Sequence, residues 1–213
     1  MNSIESSGDS GGAEAALRKA IVADPSYLDA YHGLARLFIG QGRLVEARQE
    51  FEAITARDPK SVAAHTMAAI LLEQEGKRRD AQKHYEQALA SNPRAAVPAN
   101  NLAWLMTETG GNLDLALQLA QTAKAELPKQ PEIDDTLGWI YYRKGLTTLA
   151  ISSLKQSVAA NPKEPLFHYH LGLAYAKNGE KDRARELLQR ALTIRPDFDG
   201  ANEAREMLKA LTS

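Results

Sequence analysis

The stretch VAAHTMAAILLEQEGKRRDAQKHYEQALASNPRA, residues 62–95, decides the fold. Its first half carries a stripe with the spacing i, i+3, i+4 and i+7, formed by His65, Ala68, Ala69 and Leu72. That spacing is typical of one face of an α-helix. A second stripe follows a break at Gly76 and consists of Ala81, Tyr85 and Ala88, and Asn92-Pro93 ends it. Because both stripes contain small residues, the stretch predicts two closely packed antiparallel helices.

This pattern recurs along the chain. The prolines that follow an alanine-rich helix are Pro25, Pro59, Pro93, Pro128, Pro162 and Pro196, at spacings of 34, 34, 35, 34 and 34. The alanines twelve residues before each proline are Ala13, Ala47, Ala81, Ala116, Ala150 and Ala184. We attribute the one longer spacing to Gly110-Gly111-Asn112, which adds a residue to a turn. A fixed period of this length predicts a stacked array whose units bury their apolar faces against neighbours.

The repeated residues resemble those of the tetratricopeptide repeat family. The unit with Leu171-Gly172, Tyr175, Ala184 and Pro196 matches that family's pattern most fully. The resemblance extends from about Ala13 to the C-terminus. It implies an all-α, right-handed superhelical solenoid of antiparallel helix pairs. It also implies that the first helix of each pair lines a concave groove, which commonly holds a peptide or an extended segment of a partner.

The repeat register predicts the boundaries of the array. The array covers residues 13–198, and its full repeats are residues 28–61, 62–95, 96–130, 131–164 and 165–198. Residues 13–23 look like a second helix without its first, and residues 1–12 are expected to be a flexible leader or the remnant of a truncated repeat. Residues 199–213 are expected to form a polar capping helix. This organisation favours a fragment of a longer array, with an exposed apolar edge at Leu17 and Ile21 through which copies could associate.

The composition excludes several classes of function. The 213 residues carry 26 basic and 27 acidic side chains, so the net charge of −1 gives no basic surface for nucleic acid. There is no cysteine to form disulfides or thiolate sites. The apolar stretches are far shorter than the roughly 18 residues that a membrane span needs. We therefore expect a folded, soluble protein, and the sequence leaves the cytoplasm and the periplasm open.

Motifs that suggest chemistry do not combine into a catalytic or metal site. Residues 8–12 read GDSGG, as around the nucleophile of trypsin-like proteases, but that chemistry needs a histidine and an aspartate held beside the serine. His168 and His170 are two residues apart and so belong to different helix faces. His65 and His168 fall at the large packing position of their repeats. We therefore expect no enzyme, no cofactor and no metal.

The first helices carry residues suited to holding a partner. Trp104, Trp139, Tyr142 and Tyr169 are predicted to form one aromatic strip across repeats three to five. Aromatic side chains are frequent interface hot spots. A second interpretation is that each ring packs on the neighbouring repeat and only stiffens the stack.

Polar residues on the same helices complete the predicted groove. Asn100 and Asn101 can donate to and accept from a peptide backbone, although Asn101 also fits an inter-helix hydrogen bond. The cations expected to meet acidic groups of a partner are Arg36, Arg143 and Lys177.

These features predict a non-catalytic scaffold that binds a protein or peptide in its groove. The alternative is a structural spacer, or a self-associating array, without a dedicated ligand. The strings Asn100–Leu105 and Asp135–Tyr142 are further similar to bacterial repeat proteins that accompany exopolysaccharide production and exosortase-type protein sorting. That likeness implies a role in assembling an envelope-associated system.

Overall fold

The computed structural model describes residues 10–212, which form twelve α-helices joined by short turns. The helices are α1 Ser10–Ala23, α2 Leu28–Gly40, α3 Leu44–Arg57, α4 Val62–Gln74, α5 Arg78–Ser91, α6 Ala96–Glu108, α7 Leu113–Glu126, α8 Pro131–Arg143, α9 Thr147–Ala160, α10 Pro165–Lys177, α11 Lys181–Ile194 and α12 Ala201–Thr212. Of the expected leader, residues 1–9 lie outside the described residues, and residues 10–12 open α1. The first two residues of GDSGG are likewise outside them.

The chain forms two compact units, one up to Pro98 and one from Ala99. In the first unit each helix from α1 to α5 packs on the next, and in the second unit the same holds from α7 to α12. This consecutive stacking, with no strand among residues 10–212, confirms the predicted all-α solenoid of helix pairs. None of the described helices is long and apolar enough to cross a membrane.

The turn inside each helix pair is a glycine-terminated helix end. Gly145 shows the arrangement, because its φ of 76° lies in the left-handed region where a side chain is strained. The amide N–H of Leu146 donates to the carbonyl oxygen of Tyr141 at 2.9 Å, which closes the end of α8. The α6–α7 turn has four residues, 109–112, where the equivalent turns have three. The extra residue of the 35-residue spacing is therefore in the turn, as predicted.

Alanine and glycine allow the paired helices to approach closely. Ala47, Ala81, Ala116, Ala150 and Ala184 are fully buried, whereas Ala13 of the half repeat is exposed. In the fourth repeat Gly138 lies against α9 so closely that an added Cβ would stand 2.4 Å from Cγ of Leu154. The predicted close pairing of helices is thus confirmed.

The side chain at the large packing position of a repeat forms a hydrogen bond to the proline turn that precedes its helix. Tyr31 donates its hydroxyl to the carbonyl oxygen of Pro25, and His65 and His168 each place Nε2 within hydrogen-bond distance of a proline carbonyl oxygen six residues earlier. Since a carbonyl only accepts, Nε2 of each histidine carries the hydrogen. Both histidines are buried, which confirms the packing position predicted for them.

The N-terminal half repeat does not leave its apolar stripe exposed. Leu17 and Ile21 of α1 are half-buried and pack against the core of the first unit. Gly33 of α2 makes room for this contact, because a Cβ there would lie 2.8 Å from Cδ2 of Leu17. The expectation that these two residues form an open edge was wrong. The large apolar side chain that α1 does expose is Val22, with 82% of its surface accessible.

His65 also contacts a second histidine, His84 of α5, with 3.0 Å between their Nδ1 atoms. Because Nε2 of His65 holds a hydrogen, its Nδ1 accepts and Nδ1–H of His84 donates. Burial, and then the neighbouring His65, lower the pKa of His84; Glu52 and Asp80 act against this shift and Arg48 acts with it.

We expect the first unit to lose stability as the pH falls below about 6.5, the usual histidine pKa. A histidine whose folded pKa is lowered binds fewer protons when folded than when unfolded, so acid favours unfolding. The measurement is urea unfolding, followed by circular dichroism at pH 7.5, 6.5 and 5.5, of the wild type and of His84→Gln. The variant should lose less stability over this range. An equal loss in both proteins would contradict the assignment to His84.

Candidate functional site

The predicted aromatic strip, consisting of Trp104, Trp139, Tyr142 and Tyr169, is drawn from three first helices of the second unit. Trp104 lies on α6, Trp139 and Tyr142 on α8, and Tyr169 on α10. The rings of Trp139 and Tyr142 stack with centroids 4.9 Å apart and planes 8° from parallel. Their i, i+3 spacing places them on one helix face. Trp104, Trp139 and Tyr142 are half-buried, and Tyr169 is buried.

His170 connects the rings of the aromatic strip. Its imidazole stacks on Trp139 with centroids 4.3 Å apart and lies 5.6 Å from the ring of Trp104 and 5.5 Å from that of Tyr169. The strip is therefore a set of contacting side chains. No role for His170 was predicted from the sequence.

A buried carboxylate orients this histidine. Nδ1–H of His170 donates to both carboxylate oxygens of Asp135, at 2.9 and 3.0 Å, and the two residues are only 2% and 3% exposed. Asp135 is on α8 and His170 on α10, so the bond joins first helices of successive repeats. Their 35-residue separation, one more than the repeat length, was the sequence signal that could have identified the pair.

Polar groups border the aromatic strip at the end of α8. Nε1–H of Trp139 donates to Oε1 of Glu108 at 2.7 Å, and Arg143 lies 3.8 Å from the same carboxylate oxygen. Lys177 places Nζ 4.5 Å from the ring centroid of Tyr142 and donates to the backbone oxygen of Tyr142 at 3.0 Å. Arg143 and Lys177 remain exposed. Burial raises the pKa of Tyr142, with Arg143 acting against this shift, so its hydroxyl keeps its proton at neutral pH.

The two predicted asparagines lie together on α6. Nδ2–H of Asn100 is 3.4 Å from Oδ1 of Asn101. Among residues 10–212, Oδ1 of Asn100 is buried and accepts no hydrogen bond. An unsatisfied buried amide oxygen is an acceptor available to a group from outside the chain. Arg36 is exposed on α2 of the first unit and does not belong to this cluster.

Comparison with protein-family models identifies repeats along most of the chain. One model described as tetratricopeptide repeat matches residues 6–71. A second model with the same description matches residues 66–131 and 136–197. No curated protein matches the chain.

Solved structures share the fold at low sequence identity. YrrB, described as a TPR protein with an unusual peptide-binding site, is 21% identical with a TM-score of 0.68, covering 90% of this chain and 98% of its own. PilW, described as a widely conserved type IV pilus biogenesis factor, is 19% identical with a TM-score of 0.70, covering 86% and 90%. PilF of Pseudomonas aeruginosa is 20% identical with a TM-score of 0.67, covering 88% and 89%. At these identities the likeness establishes the fold.

Proposed function

Because the chain belongs to the tetratricopeptide repeat family, we propose that it is a non-catalytic scaffold that binds an extended segment of a protein partner on the aromatic strip. The fold is in general that of a protein-interaction scaffold. The proposal adds the place of binding, the first helices of the second unit. The peptide-binding site described for YrrB is consistent with such a role.

One observation carries the proposal: the rings of the strip are joined by ring contacts, either directly or through His170, and three of the four still keep accessible surface. Trp104, Trp139 and Tyr142 are half-buried although each lies against another ring. Half-exposed aromatic surface with a polar border is characteristic of interaction sites. Asn100 and Arg143 supply that border and can pair with the backbone and acids of a bound segment.

The setting that we propose is the assembly of a bacterial envelope or exopolysaccharide system. It is supported by the strings Asn100–Leu105 and Asp135–Tyr142, which include both tryptophans of the strip. A spacer or self-associating array is the second candidate, and the observation in its favour is the stacking itself. Rings that pack repeat on repeat stiffen the second unit whether or not a partner binds.

We expect the double variant Trp104→Ala/Tyr142→Ala to lose partner binding by at least about thirtyfold, since hot-spot truncation costs roughly 2 kcal/mol or more. Tyr27→Ala is the matched control, because it removes an exposed tyrosine of the first unit. A photo-crosslinking residue placed at Arg143 should capture the partner from a native lysate, and the same residue at Gln189 on α11 should not. Helical circular dichroism melts establish that each variant is folded.

If the double variant and the wild type captured the partner equally, the binding site would not be on the aromatic strip. Capture from neither position, with all variants folded, would favour the spacer.

A further inference from the structure

Tyr169 is nine-tenths buried and has an unpaired hydroxyl. Its residual exposure is 8%, and its ring contacts His170 and Phe198. The turn before α12 lies directly on the ring, because a Cβ added to Gly200 would stand 2.7 Å from Cε1 of Tyr169. Among residues 10–212 the hydroxyl has no hydrogen-bond partner. The oxygen is not one of the fully enclosed side-chain atoms left without a partner. It therefore keeps accessible surface and can accept a hydrogen bond from a group outside the chain.

Two acidic residues flank the turn that covers this ring, because Asp199 directly precedes Gly200 and Glu203 follows it on α12. Burial and then the carboxylates of Glu203, Glu108 and Asp199, together with the Tyr142 hydroxyl, raise the pKa of Tyr169 to about 12. Asp199 and Glu203 are exposed, and within the described part of the chain neither forms an ion pair or a side-chain hydrogen bond. An acidic residue near the start of a helix interacts favourably with the helix dipole, which explains why Glu203 is in the first turn of α12. The dipole does not explain why the Tyr169 hydroxyl is left without a partner.

The neighbouring cations of the chain have other partners. Lys177 donates to the backbone of Tyr142, and Arg143 lies beside Glu108. Arg205 of α12 donates to Oδ1 of Asn202 and to the backbone oxygen of Pro196. Arg205 lines the same cleft as Asp199 and Glu203, but among residues 10–212 no cation forms an ion pair with either acid.

We infer that a lysine or arginine side chain of the bound segment docks at the Tyr169 hydroxyl, between Asp199 and Glu203. This inference rests on the proposed function and assigns the chemistry of one end of the site. The cation would donate to the phenol oxygen and to a carboxylate, and hydrogen bonds to charged acceptors are the stronger kind. An acidic residue at this position would be repelled by both carboxylates.

The test is selection from a random twelve-residue peptide display library on the whole chain. The selected peptides should share a lysine or arginine at one fixed position. The best peptide is then measured by calorimetry on the wild type, Glu203→Gln, Tyr169→Phe and the control Glu186→Gln. Glu186 is an exposed acid on α11, outside the strip.

Glu203→Gln and Tyr169→Phe should each weaken the selected peptide about fivefold, and Glu186→Gln should leave its affinity unchanged. Tyr169→Phe removes a hydroxyl that has no hydrogen-bond partner in the described part of the chain, so the thermal stability of this variant should not fall. This separates a binding role from a structural one.

Selected peptides without a shared basic residue, or an unchanged affinity for Glu203→Gln and Tyr169→Phe, would overturn the inference while leaving the proposed function standing. A library that yields no peptide dependent on Trp104 and Tyr142 would overturn the proposed function itself.

Discussion

Replacing His170 with leucine is expected to lower the free energy of unfolding of the second unit by about 3 kcal/mol. Leucine fills much of the imidazole's volume, so the loss comes mainly from Asp135, which keeps a buried carboxylate without its donor. A buried ionic or polar partner left alone bears the full cost of desolvation. The measurement is urea unfolding at pH 7 followed by circular dichroism.

The double variant His170→Leu/Asp135→Leu is the control for this interpretation. Replacing both partners by apolar side chains removes the unpaired group, so the double variant should recover most of the lost stability. Asp135→Asn keeps an acceptor oxygen and should cost less than His170→Leu. If the double variant were as unstable as the sum of the two single leucine variants, packing and not the hydrogen-bonded pair would hold α8 against α10.

Gly138→Ala is expected to lower the free energy of unfolding by about 2 kcal/mol, although alanine is the better helix former. The gain in helix propensity is about 1 kcal/mol. Against it, the new Cβ would lie 2.4 Å from Cγ and 2.7 Å from Cδ2 of Leu154, and 3.1 Å from its backbone nitrogen. Leu154 is fully buried, and overpacking a filled core costs roughly 1–3 kcal/mol or more. The helices must therefore separate.

The matched control is Gly172→Ala in the next repeat. A Cβ there would meet Cγ of Leu188 at 2.9 Å, so the effect should have the same sign and be smaller. Gly138→Ala/Leu154→Ala should be less destabilised than the sum of its single variants, because the smaller side chain relieves the clash. If the losses in the free energy of unfolding were additive, Gly138 would not be required for the close approach of α8 and α9.

Comparison of the repeats indicates why other repeats have alanine at the position of Gly138. The residue equivalent to Gly138 is Ala35 in the first full repeat and Ala69 in the second, and both are buried. The residue equivalent to Leu154 is an aromatic there, Phe51 or Tyr85. An aromatic ring has a flat face where leucine has a branched Cγ, so the two positions vary together.

The period of the sequence was sufficient to predict the helices and their turns. Each helix pair depends on local signals, an apolar stripe, a glycine turn and a closing proline, and these recur at fixed spacing. The extra residue at Gly110-Gly111-Asn112 was located for the same reason. Trp104 and Trp139 could be grouped because they hold the same position of successive first helices, which become neighbours in a stack.

Side-chain contacts that depend on how one helix is rotated about its axis relative to the next were not predicted. His170 meets Asp135 and His65 meets His84 across helix boundaries, and the three- and four-residue spacings of the apolar stripes do not specify those pairs. The inward packing of Leu17 was missed for a similar reason. A stripe shows which residues are apolar, but which neighbour covers them depends on the space that Gly33 opens in α2. Whether the strip binds a partner depends on chemistry outside the chain.

Both tryptophans of the chain, Trp104 and Trp139, belong to the aromatic strip of the second unit. Light absorbed at 295 nm is therefore emitted from one place, and the first unit is silent at that wavelength. Because the ring of His170 is stacked on Trp139, we expect a change at this histidine to alter the emission of Trp139. Circular dichroism, by contrast, sums the helices of both units. Unfolding curves recorded by fluorescence and by circular dichroism would coincide only if the two units unfold together. The intrinsic tryptophan fluorescence therefore reports on the unfolding of the second unit alone.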